Sequence, residues 1–122
     1  MVLADTSVWA DHFRSNDGHM VELLGNNNIL MHPFVLAEIA LGSLRGRAKS
    51  INDLKVLPAA RVVDDAAALH SIEALKLYGT GIGFVDTHIL LSAKLEGHGL
   101  WTRDKRLSAQ AARLGVHYHA FQ

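Results

Sequence analysis

The chain opens Met1-Val2-Leu3-Ala4-Asp5, an apolar triplet that stops on a carboxylate just ahead of a helix-forming stretch. This pattern, a short buried run and then a helix, recurs along the sequence and constrains the fold more than any other feature. Ile29-Leu30-Met31 precedes Pro33, which suits the first turn of a helix because its missing N–H costs nothing there. That helix carries Phe34, Leu36, Ile39, Ala40 and Leu44, with Gly42 inside it. Arg61-Val62-Val63 precedes a helical run from Asp65 to Tyr78. Leu100-Trp101-Thr102 precedes a helix from Lys105 to Leu114, and Val116 to Tyr118 supplies a last strand. Between these lie helices over Val8 to Phe13 (capped by Thr6 or Ser7), Gly18 to Leu24 and Ile51 to Leu57. The apolar run from Phe84 to Leu95 reads as a buried helix ended by Gly97 and Gly99. Strands alternating with helices predict a parallel sheet covered on both faces.

The length of 122 residues fits one domain, residues 1–122, large enough to bury a core without staples. No cysteine is present, so disulfides and thiolate metal sites are excluded, which suits a reducing cytoplasm. The N-terminal residues lack a basic region and a long apolar segment, so neither a signal peptide nor a membrane anchor is expected. Twelve basic and 12 acidic side chains balance, so the overall charge carries no nucleic-acid footprint. Any polyanion would be held by a local patch or through bound metal.

Sites in open α/β sheets form beyond the carboxyl ends of the strands. Asp5 ends the first strand, and Asp104 follows the strand Leu100-Trp101-Thr102. Glu38 lies early in the helix after the second strand and can reach the same edge. Asp86 stands near the start of the helix from Phe84 to Leu95, where the helix dipole favours an anion. It is an odd residue among Phe84, Val85, Ile89 and Leu90 unless something pairs with it. Each acid alone has a structural explanation: an aspartate at a strand end is a common helix cap, and Glu38 would be a surface residue. Four carboxylates on one edge repel one another, and a divalent cation removes that cost. Oxygen ligands without cysteine point to Mg²⁺ or Mn²⁺ rather than Zn²⁺. Such an ion shares its shell with phosphate oxygens and can generate a hydroxide-like nucleophile for in-line displacement at phosphorus.

Four segments carry a resemblance. They are Val2-Leu3-Ala4-Asp5-Thr6-Ser7-Val8-Trp9, Val35-Leu36-Ala37-Glu38-Ile39, Phe84-Val85-Asp86-Thr87-His88-Ile89-Leu90 and Trp101-Thr102-Arg103-Asp104-Lys105-Arg106-Leu107. In this order and spacing the chain resembles the PIN-domain ribonucleases, and more closely the toxins of VapBC toxin–antitoxin pairs. The resemblance implies a three-layer α/β/α sandwich with a central, mostly parallel sheet. It implies endoribonuclease activity dependent on Mg²⁺ or Mn²⁺, a homodimer, and inhibition by a VapB-type antitoxin whose tail enters the active-site groove. Carried onto this sequence, Asp5, Glu38, Asp86 and Asp104 form the acidic site. The fourth acid varies most in the family, which leaves Asp104 able to act through water. Thr6, Ser7 and Thr102 become candidates to orient carboxylates or waters.

Other residues have two readings each. Arg103, Lys105 and Arg106 could hold RNA phosphates beside the metal or form a solvated helix start. Arg45, Arg47 and Lys49 could border an RNA groove or be a plain connector. Trp9 could stack on a base or pack in the core. His117 and His119 share one face of the last strand and could ligate a metal, although no third ligand can be named. His88 is expected to be partly buried with its hydrogen bond satisfied. Two other functions compete. Arg61-Val62-Val63-Asp64-Asp65 looks like the acidic strand end of a phospho-accepting receiver domain, though placed mid-chain. A PIN-like module could also bind RNA or protein without cutting. Within the nuclease chemistry a structure-specific DNA substrate competes, and the small size favours RNA.

Overall fold

The opening apolar triplet becomes the middle strand of the sheet. In the computed structural model, which describes residues 1–120, β1 (Val2–Ala4) lies between β2 (Ile29–Leu30) and β3 (Gly99–Trp101). Both pairings are parallel, with Leu3 opposite Leu30 on one side and Leu100 on the other. Strands this short persist because they are enclosed: every residue of β1 and β2 is buried, as are Leu100 and Trp101. One parallel bridge extends each edge, Met31 to Ala59 and Leu100 to His117.

The chain leaves β1 through α1 (Thr6–Ser15) and α2 (Gly18–Gly25) to reach β2. It returns past β1 to β3 through α3 (Pro33–Leu41), α4 (Arg47–Lys55), α5 (Asp65–Ala74) and α6 (Phe84–Glu96), and α7 (Lys105–Arg113) follows. The two crossovers travel in opposite directions along the sheet. With the usual right-handed connection they place helices on both faces, the expected α/β/α sandwich. Helix α6 is its most enclosed helix, with Thr87 through Ala93 all buried. No helix among the described residues is long and apolar enough to cross a membrane.

Four expected elements differ. Arg61-Val62-Val63 is not a strand: the sheet contact falls one step earlier, where Met31 N–H donates to Pro58 and Ala60 N–H donates to Met31. The Arg61 carbonyl instead accepts from the Ser92 hydroxyl of α6 at 2.6 Å. Leu44 lies outside α3, because Gly42 takes an extended conformation and ends the helix. The connector Arg45 to Lys49 is helical from Arg47 onward, and the Arg47 guanidinium donates to the Ala40 carbonyl at 2.8 and 3.1 Å, closing the end of α3. The final strand contracts to the single bridge at His117. Residues 121 and 122, the end of the expected domain range, lie outside the described residues.

Five of the seven helices among the described residues start on a side-chain cap, and α4 and α6 start on Gly46 and Gly83 without one. Asp5, rather than Thr6 or Ser7, caps α1, while Asp17, Asp64 and Asp104 cap α2, α5 and α7. The exception is His32, fully buried, whose Nδ1 accepts from the Phe34 N–H at 3.0 Å and caps α3. An accepting Nδ1 makes the ring neutral and puts its proton on Nε2. Burial, with His88 adding like-charge repulsion, pushes the His32 imidazole down to about 4. A histidine held neutral in the fold but free to charge when unfolded contributes stability above its ordinary value, lost as pH falls from about 6.5 toward 4. Urea unfolding of metal-free protein should therefore show His32→Asn, which keeps a capping acceptor but cannot titrate, less sensitive to acid than wild type. The expected difference between pH 7 and pH 4.5 is about 2–3 kcal/mol. Parallel loss in both proteins would show that His32 does not carry the acid response.

Candidate active site

Asp5 stands at the carboxyl end of the central strand, the point where the chain departs toward opposite edges of the sheet. In this fold class such a switch point opens a crevice beyond the strand ends. The Asp5 side chain is buried and fully engaged. Its Oδ1 accepts from the Ser7 hydroxyl at 2.5 Å and from the Val8 N–H at 3.2 Å, and its Oδ2 accepts from the Thr102 hydroxyl. Each hydroxyl is itself an acceptor, Ser7 from the Arg103 N–H at 3.1 Å and Thr102 from the Asp104 N–H at 3.0 Å. Two relays thus run from the loop after β3 into one carboxylate. Thr6 serves a different acid, donating to Glu38 Oε1 at 2.5 Å and linking the start of α1 to α3.

The electrostatics gather the four acids. Burial raises the Asp5 carboxyl above its ordinary value, against the opposing hydrogen bonds from Ser7, Thr102 and Val8. Asp86, in the first turn of α6, is pushed up to about 6, first by burial and then by the charges of Asp5, Asp104 and Glu38. Asp104 is exposed and caps α7 through the Leu107 N–H at 2.9 Å. Asp5 and Asp104 are thus both helix caps, as their structural explanation has it, and both act on the charge of Asp86. Among the described residues, no three histidine, aspartate or glutamate side chains are grouped so that together they could hold a metal ion. The donor set is all carboxylate oxygen, and its mutual repulsion is what a divalent cation would relieve. The residues fit an ion such as Mg²⁺ that keeps several waters and needs few protein ligands.

The basic residues divide. Arg103 is clamped at the surface by the protein's own groups: Nε lies 2.6 Å from Asp11, Nη2 lies 2.8 Å from Asp17, and the guanidinium rests over Trp101. Burial works against the Asp17 charge, but the Met20 and His19 N–H groups and Arg103 outweigh it and hold the carboxyl below its ordinary value. Arg103 is thus not the free phosphate contact considered from sequence. Asp11 and Asp17 were missed there, and the readable signal for Asp17 was its place as a cap before Gly18. Lys105 and Arg106 make no ion pair among the described residues. Beside Thr6 and Glu38 a cleft of about 970 Å³ extends past His12, Phe13 and Leu44 to Arg45.

The remaining candidates resolve as structure. Trp9 is buried and stacks on Phe13 at 5.8 Å. His117 meets the Ser108 hydroxyl at 3.1 Å, and its ring lies 4.1 Å from that of His119. His88 departs from expectation: it is buried, edge-on to Phe34 and Phe84, and its Nδ1 has no hydrogen-bond partner among the described residues. Asp64 caps α5 through the Ala67 N–H at 2.8 Å, and no strand precedes it, so the receiver-like acidic strand end is absent.

The raised Asp86 value has a stability consequence with a definite sign. An acid whose folded value exceeds its unfolded one costs stability when charged, and the cost disappears as pH falls through 6 toward 4. Discounted for the exposure of the group, the cost near neutrality is on the order of 1 kcal/mol. Thermal unfolding in EDTA should show Asp86→Asn melting a few degrees above wild type at pH 7.5 and level with it near pH 4. A variant less stable at both pH values would show that Asp86 is not under repulsion.

The sequence model of the PIN domain family matches residues 2–113. Two curated relatives, each named Ribonuclease VapC32, come from the CDC 1551 / Oshkosh and H37Rv strains of Mycobacterium tuberculosis. Each is 44% identical over 117 residues, covering 95% of this chain and 94% of the relative. Identity at that level from end to end, joined to the parallel sheet and the acids at its switch point, places this chain among the PIN-domain ribonucleases of the VapC type.

Proposed function

We propose that residues 1–122 act as one PIN domain, a metal-dependent endoribonuclease and the toxin of a type II toxin–antitoxin pair. The observation that carries the reading is the charging of Asp86 against Asp5, Glu38 and Asp104 at the carboxyl end of the sheet. Asp5, Glu38, Asp86 and Asp104 would hold Mg²⁺ or Mn²⁺. When bound, such an ion supplies charge neutralisation at phosphorus and an acidified water. Ser7 and Thr102 hold both Asp5 oxygens in place, and Thr6 holds Glu38, so the acids are oriented before substrate arrives. Orientation in advance is what lets electrostatic stabilisation act at the transition state.

The cleft from Glu38 to Arg45 offers a path for a single RNA strand, and a VapB-type antitoxin is the partner that would close the site. The working compartment is the cytoplasm. A homodimer through helices of the first half is supported by Leu41 and Val56, which end α3 and α4 at 88% and 82% exposure. Such an interface would bury about 1,200–2,000 Å² in total.

The mechanism is tested by product ends. Cleavage by water leaves the RNA 2′-hydroxyl unused, so products should carry 5′-phosphate and 3′-hydroxyl ends. EDTA should abolish cutting, and Mg²⁺ or Mn²⁺ should restore it. Asp5→Asn keeps the shape of the side chain but removes a charge, and should lower the rate about a hundredfold or more. Cutting that survives both EDTA and Asp5→Asn, with 2′,3′-cyclic phosphate ends, would overturn the reading and turn attention to the eight histidines.

A further inference from the structure

A second, smaller pocket of about 250 Å³ lies where the glycine-rich loop from α5 runs into α6. Leu77, Ile72, Thr87 and His88 line it, together with Tyr78 and Phe84. These two rings are 60% and 69% exposed, and both line the pocket. Phe84 is steadied by stacking on Phe34 at 6.1 Å and by the edge of His88 at 4.7 Å. Phe84, Thr87 and His88 share one face of α6 toward the pocket, and Phe34, on which Phe84 stacks, stands one turn before Glu38 on α3.

A cation reaches the same loop from α7. A Cβ built on Gly81 would meet Arg106 Cδ at 3.0 Å and Nη1 at 3.2 Å, so the missing side chain is the seat of the Arg106 stem and guanidinium. Gly81 has φ +84, a backbone setting that also favours glycine. Arg106 makes no ion pair among the described residues, and it stands two residues after Asp104. The pocket is thus linked to two helices that carry acids, through the Phe84–Phe34 stack to α3, which bears Glu38, and through Arg106 to α7, which Asp104 caps.

We propose that this pocket takes one unstacked base of a single-stranded RNA, between Tyr78 and Phe84, while Arg106 holds a neighbouring phosphate. Exposed aromatic rings beside an unpaired guanidinium match the two parts of a nucleotide, a flat base and an anionic phosphate. The volume admits a single heterocycle and not a peptide helix. The proposal rests on the ribonuclease reading and deepens it: it assigns the contact that would make cutting depend on base identity next to the scissile bond.

The test uses the full chain with Mn²⁺ and a short single-stranded RNA centred on a mapped cut, each position replaced in turn by an abasic nucleotide. At one position beside the cut, loss of the base should lower kcat/KM for wild type about tenfold, the value of one base–aromatic stack. In Tyr78→Ala or Phe84→Ala the same loss should cost less than twofold, and Phe84→Tyr should restore the wild-type penalty. Arg106→Ala should weaken binding evenly across sequences and reduce the salt slope by about one, and Gly81→Ala should do the same by displacing Arg106. Equal abasic penalties in wild type and both alanine variants would overturn the pocket, as would no penalty at any position. Fluorescence anisotropy of Asp5→Asn on the same oligonucleotides separates the two readings. Base preference that depends on Tyr78, with no cutting by wild type, would keep the pocket and remove the ribonuclease. No RNA binding by either protein would overturn both.

Discussion

Everything at the strand ends depends on one buried carboxylate. Asp5 closes the middle strand, caps α1 and receives both hydroxyl relays from the loop after β3. A carboxylate taken from water carries a large cost unless its oxygens are hydrogen-bonded. Here three donors meet the two oxygens, so the start of α1 and the turn into α7 hold their relative positions through the group they surround. The bonds do not fully offset the burial, since the carboxyl still lies above its ordinary value. The site is thus built from a group that the fold can hold but does not fully satisfy.

The same tension spreads to Asp86. Helix α6 brings that acid in just before its enclosed stretch from Thr87 to Ala93, in the first turn, where the helix dipole favours negative charge. Burial and three neighbouring acids outweigh the dipole and drive it to about 6. Concentrating carboxylates without a counter-charge costs folding stability, and a binding site is where such a cost is offset by its ligand. His32 adds the opposite dependence from α3, being most stabilising when acid is absent. Between the two, the metal-free fold has groups that respond to acid in opposite senses across nearly the same interval.

The sequence made much of this legible because local chemistry and global position coincide in it. Val2-Leu3-Ala4 is apolar because it is covered on both faces, and Asp5 follows because the strand ends there. The same holds for Leu100 and Trp101 before Asp104, and for the boundaries of α6 at Gly83 and Gly97. Arg61-Val62-Val63 misled because β-branched residues also suit a segment packed against a helix, and the Ser92 hydroxyl that engages Arg61 lies 31 positions away. Helix caps misled for a related reason: Thr6 and Ser7 have the right hydroxyls, but their partners are the acids, and only the turn geometry reveals Asp5 as the cap. The clamp on Arg103 was hidden because Asp11 and Asp17 come from α1 and the start of α2, and no spacing rule joins them to residue 103.

That clamp bears on how a chain of zero net charge could hold a polyanion. Several cations serve the fold: Arg47 closes α3, Arg113 reaches the Leu75 carbonyl, Lys94 the Leu114 carbonyl, and Arg103 bridges two aspartates. Arg45, Lys105 and Arg106 make no ion pair among the described residues. Their positions matter more than their number. Arg45 borders the cleft that begins at Glu38, while Lys105 and Arg106 open α7 beside Asp104. Unpaired cations thus stand on the turn before α4 and on the first turn of α7, although the total charge is neutral. With screening over about 8 Å at physiological salt, a phosphate chain responds to that local arrangement rather than to the sum. Such a surface attracts a polyanion weakly at a distance and more firmly only where the strand runs close to these cations.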